Sequence, residues 1–79
     1  MVKNASALRE VVSISPDVVS GAPVFKGTRV PIRVLLDHLE VSDLETFLED
    51  FPSVTREQAI RFIELANEAA LAELHAHSA

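Results

Sequence analysis

Thr55, Arg56, Gln58 and Arg61 stand together at the head of an amphipathic stretch, and each carries groups suited to nucleic acid. A guanidinium takes the guanine edge or a phosphate, and a carboxamide takes the adenine edge. Arg29 and Arg33 add two upstream cations able to meet phosphate. Other chemistry is sparse. Without Cys there is no thiol nucleophile, disulfide or Cys-based metal site. No Ser lies in a strained glycine elbow, and no glycine-rich loop cradles phosphate. The twelve acids are spread along the chain, unlike the tight carboxylate cluster of a metal-dependent nuclease. Glu73, His75 and His77 crowd the end of a helix, where i,i+2 spacing is poor ligand geometry. His38, among acidic neighbours, reads as a surface or interface residue. The expectation is a protein with no catalytic residue, no cofactor and no metal.

These residues need elements to position them. Residues 1–10 show no clear period and read as a flexible terminus. Val11–Ser15 is β-branched and stopped by Pro16, which predicts a strand. Ser20-Gly21-Ala22-Pro23 is loop chemistry. Val24-Phe25 and Thr28-Arg29-Val30 flank Lys26-Gly27, which predicts a small hairpin turning on Gly27. Pro31 fits the first position of a helix over about 31–40 with Ile32, Leu35, Leu36 and Leu39 on one face. Ser42-Asp43-Leu44-Glu45 forms a capping box led by Ser42, opening a second helix to about residue 51 that Pro52 ends. Thr55–Gln58 is another capping box, opening a third helix to about residue 75. The chain therefore reads as one mainly α domain: a β arm over 11–30, then three helices over 31–76. A short second-to-third connection with Val54 as its buried turn residue matches a helix-turn-helix, whose last helix presents its start to the major groove. A plain helical bundle with an ordinary polar face fits the same pattern.

Composition narrows the partners. The 79 residues carry a net charge of −5, which argues against coating nucleic acid by bulk charge. Residues 1–36 hold five cations against two acids, a net of +3, and residues 37–79 hold two cations against ten acids, a net of −8. A basic front thus precedes an acidic back. Hydrophobic residues make up 48% of a chain too short to bury them well alone, which predicts a homodimer, a tight protein partner, or both. The hairpin arm with the apolar side of the third helix is one candidate dimer interface. Leu65 to Leu74 on that helix is a second interface, for either the other subunit or a protein partner. No apolar run can span a bilayer or serve as a signal peptide, so the expected address is the cytoplasm. Asn4-Ala5-Ser6 is then a chance match to a glycosylation sequon.

Gly21-Ala22-Pro23-Val24-Phe25-Lys26-Gly27-Thr28-Arg29-Val30-Pro31 fits the pattern G-x-P-x-x-x-G-T-R-x-P and resembles the signature of the family called domain of unknown function 433. Leu48 to Glu57 is similar to that family's second block: an acidic helix end, an aromatic-Pro pair and a Thr helix start. The resemblance spans about residues 11–70. It implies a helix-turn-helix-like antitoxin of the VapB type, partnered by a PIN-like ribonuclease toxin and able to bind operator DNA. Leu39-Glu40-Val41-Ser42 departs from the pattern, lacking a Gly between the first two helices and running one residue short. With the resemblance, Arg29 reads as a phosphate contact, an inter-subunit ion pair, or a partner of Asp50. The alternatives to an antitoxin are a stand-alone helix-turn-helix regulator and an interaction module that binds no DNA.

Overall fold

The computed structural model describes residues 5–77, with side chains from 7 to 75. Helix α1 spans Ala5–Val11, strand β1 Val12–Ser13, β2 Val24–Phe25, α2 Ile32–Val41, α3 Leu44–Asp50 and α4 Arg56–His77. The mainly α architecture with a short β arm is the expected one. The connection between the two strands holds a left-handed turn at Val19–Gly21, with Val19 at φ 48° and Ser20 at φ 53°.

Several local expectations need correction. Residues 5–11 are helical where a flexible end was expected; residues 1–4 lie outside the described part. Ala, Leu, Arg and Glu favour a helix, but seven residues are too few to show its period. α1 packs on α4, and Val11 is buried there. The strand expected over 11–15 shrinks to Val12–Ser13 because α1 claims Val11. Its partner is β2, antiparallel, with Val12 opposite Phe25 and Ser13 opposite Val24. Finally, the cap of α3 is Asp43, whose carboxylate accepts from the Thr46 N–H at 2.9 Å. Ser42 is already used by the preceding helix, donating its N–H to the His38 carbonyl at 2.7 Å. The two-residue link leaves the next cap to Asp43.

The turn at Lys26-Gly27 forms as expected, with Gly27 at φ 80°. The Thr28 N–H donates to the Phe25 carbonyl at 3.0 Å, and the Thr28 hydroxyl donates to the same oxygen at 2.8 Å. That hydroxyl accepts from the Val30 N–H at 3.0 Å. One Thr side chain thus closes both ends of the turn. Pro31 is the residue before α2, not its first residue, and the Ile32 N–H donates to the Pro23 carbonyl.

The core gathers under this hairpin. Phe25, Leu35 and Phe47 are fully buried, joined by Val30, Ile32, Val54 and Ala59. Phe25 meets Phe47 at 6.0 Å between ring centres and Phe62 edge-on at 6.1 Å. Val54, 3% exposed, is the buried residue of the α3–α4 turn, as its position in the sequence predicts. Arm and helices are therefore one core, and the hairpin is fixed against the start of α4.

Candidate functional site

The head of α4 holds Thr55, Arg56, Gln58 and Arg61 together, and most of their polar groups already have partners in the chain. Thr55 and Gln58 make the reciprocal capping box. The Gln58 N–H donates to the Thr55 hydroxyl at 3.0 Å, and the Thr55 N–H donates to Gln58 Oε1 at 3.0 Å. Gln58 Nε2 then donates to the Lys26 carbonyl at 2.8 Å, tying the hairpin turn to α4. Arg56 forks onto Glu45 of α3 with two bonds of 2.5 and 2.6 Å. The guanidinium holds the Glu45 carboxyl below its ordinary pKa, and the carboxylate raises that of Arg56. Arg61 lies 3.7 Å from Glu64, a turn further on.

The two upstream cations sit on different elements, Arg29 on the hairpin and Arg33 on α2. Arg29 is exposed on the hairpin and has no carboxylate partner among the described residues. Its expected alternative partner, Asp50, binds His38 instead, at 3.2 Å from Nε2. Arg33 is exposed on α2 and pairs with Asp37 one turn along, at 3.2 Å. It also lines the rim of an open groove of about 810 Å³ between α1, β1 and the start of α2. Leu8, Val12, Ile14 and Leu36 line the groove, Phe62 of α4 reaches it, and Arg9 stands at its edge. Four separated segments build it, so no local spacing announced it.

His38, expected at a surface or interface, is instead half-buried between α2 and α3 with a structural role. Its Nδ1 lies 3.1 Å from the Val34 carbonyl while Nε2 faces Asp50. Only the doubly protonated ring donates to both. Its ring stands edge-on to Phe47 at 5.6 Å and to Phe51 at 5.5 Å. The contact to Asp50 spans twelve residues, and a single His in a helix gives no signal of it. His75 is exposed at the end of α4, and the His77 side chain lies outside the described residues. No group of three potential metal ligands occurs among the described residues. No helix among them is long and apolar enough to cross a membrane.

Charge sorts by surface. All ten acids from Asp37 onward are exposed, while Arg56 and Arg61 are engaged by Glu45 and Glu64. Arg9, Lys26, Arg29 and Arg33 are exposed on the arm and the start of α2.

Fold and surfaces together define a small mainly helical domain that carries a two-stranded β arm, a basic arm surface and an acidic helical one. The chain belongs to the family described as Protein of unknown function (DUF433), which it matches over residues 12–66. It is 38% identical over 65 residues to "Uncharacterized protein y4eO" of Sinorhizobium fredii (strain NBRC 101917 / NGR234). That stretch covers 81% of this chain and 29% of the relative, so the chain spans under a third of the relative's length. No solved structure matches the chain.

Proposed function

We propose that this chain is an antitoxin of the VapB type: a cytoplasmic binding protein, not an enzyme, that captures and silences a co-expressed PIN-like ribonuclease. The observation that carries the reading is the acidic surface of residues 37–77, where every acid is exposed and both cations are engaged. A ribonuclease binds RNA on a basic surface, and a surface rich in exposed carboxylates complements it. The family resemblance of the Gly21–Pro31 block supports the same role. The groups with displaced pKa values, Asp43, Glu45 and Arg56, form a helix cap and an ion pair in solvent, which suits architecture more than proton transfer.

Operator DNA is the second ligand in this reading, favoured by the α3–turn–α4 unit with Val54 buried in its turn. Arg56 must leave Glu45 to reach a base, and Gln58 must leave its cap. The exposed Arg29 of the hairpin then becomes the first phosphate contact.

The test is inhibition of the ribonuclease encoded beside this chain. Stoichiometric antitoxin is expected to abolish RNA cleavage and restore growth of cells expressing the nuclease. Glu49→Gln/Glu57→Gln is expected to slow association and flatten its salt dependence. Full nuclease activity in the presence of excess wild-type chain overturns the reading. In gel shifts with the upstream DNA, Arg29→Ala is expected to lower the salt slope by about one unit. Absence of any shift removes DNA from the function and leaves the protein partner.

A further inference from the structure

The groove and the far end of α4 are complementary surfaces that one protomer does not bring together. α4 runs for 22 residues, about 33 Å at the usual helical rise. Its last buried residue is Leu65, and Ala69 is half-buried. The turns from residue 70 to 77 therefore project about 12 Å further. They carry Leu71 and Leu74, 56% and 63% exposed, one turn apart on the same side. The groove offers the counterpart, with Ile14 at 67% and Leu36 at 45% exposure. Its rim carries Arg9 and Arg33, in the half of the chain with net charge +3, while the α4 ridge belongs to the half with net charge −8.

We propose that two copies of this chain associate by exchanging these parts: the Leu71–Leu74 ridge of each seats in the groove between α1 and α2 of the other. A second copy is the occupant because a single sequence supplies both the basic apolar groove and the acidic apolar ridge. Reciprocal exchange closes on a two-fold axis and leaves no open end. The family match covers residues 12–66, so both the ridge and α1 lie outside it.

Sedimentation equilibrium at micromolar concentration tests the exchange. The wild-type chain is expected to be a dimer whose dissociation constant rises with salt. Leu36→Glu, which closes the groove, and the double variant Leu71→Glu/Leu74→Glu, which spoils the ridge, are each expected to sediment as monomers with wild-type helical circular dichroism. Their equimolar mixture is the decisive sample. A mixed dimer keeps one intact groove and one intact ridge, so dimer mass returns. Two copies packed through the same patch give no such rescue, and a mixture that stays monomeric overturns the exchange. A wild-type monomer overturns it outright and leaves the groove to a different protein. If Leu36→Glu loses its helical signal, Ile14→Glu on the same wall takes its place, with the same expected rescue.

Discussion

The first turns of α4 and its last turns share one helix and behave as two different objects. From Thr55 to Leu65 the helix is bound into the molecule. Its cap is closed by Thr55 and Gln58, Arg56 is forked onto α3, Ala59 is fully buried and Leu65 is 1% exposed. From Ala66 to His75 no described side chain is buried. Packing and capping hold the first half. The second half is carried by continuation of an existing helix and by the helix propensity of Ala, Leu and Glu. In the proposed exchange this stretch and its exposed Leu71 and Leu74 meet the groove of a second copy. The same helix thus anchors the hairpin at one end and offers a surface at the other.

The largest expected effect separates the halves by stability. Leu65→Ala is expected to cost about 2–5 kcal/mol, from lost burial and the cavity left behind. A chain of this length has about 4–12 kcal/mol to lose. Leu74→Ala, measured on the dilute monomer, is expected to stay within about 0.5 kcal/mol of wild type. Urea melts at nanomolar concentration make the comparison. Equal losses at the two positions erase the distinction and mean that the end of α4 packs on the core in solution.

A smaller effect sharpens what binds the first half. Gln58 serves two partners, the Thr55 N–H and the Lys26 carbonyl. Gln58→Ala is expected to cost about 1–2 kcal/mol, two hydrogen bonds at about 1 kcal/mol each. Gln58→Glu keeps the acceptor for the cap and loses the donor to the hairpin, so it is expected to fall between the two. If both variants lose the same amount, the cap contributes nothing and the hairpin tie carries all of it.

That double duty shows where sequence reading reaches and where it stops. The Thr55–Gln58 cap was legible because it spans four residues at a fixed spacing, and so were the Gly27 turn and Val54 in its turn. The bond from Gln58 to Lys26 crosses 32 residues, and no local pattern contains it. The cap of α3 was misplaced by one residue because Ser42 and Asp43 both qualify by type. Only the end of α2, which takes the Ser42 N–H, decides between them. α1 escaped because its helical state rests on docking against α4, nearly a chain length away. The candidate site residues were read as polar groups able to meet bases or phosphates, and all but the half-buried Gln58 are exposed. Their engagement by Glu45 and by the hairpin was invisible, since a basic side chain at a helix start looks the same free or paired.

The smallest expected effect is electrostatic and belongs to the junction between α3 and the bound half of α4. The Arg56 guanidinium holds Glu45 below the ordinary 4.5, and the Thr46 N–H holds Asp43 below 3.8. A carboxyl whose pKa is lowered on folding contributes its full stabilisation above its unfolded value and loses it as pH falls through the folded one. Both contributions are therefore intact at neutral pH and fade below about pH 4.5. The Glu45 carboxylate raises the Arg56 pKa, so the pair loses nothing on the alkaline side at any accessible pH. Both carboxyls are open to solvent, and exposed pairs contribute little, so the acid loss is expected to be modest. Urea midpoints for the wild type and Glu45→Gln check it. The two curves are expected to differ near neutrality and to converge as pH falls through the lowered Glu45 pKa and the carboxylate takes up its proton. A gap that persists unchanged into acid means the Glu45–Arg56 fork acts through shape and packing. The bound half of α4 would then owe its place to the core and to Gln58 alone.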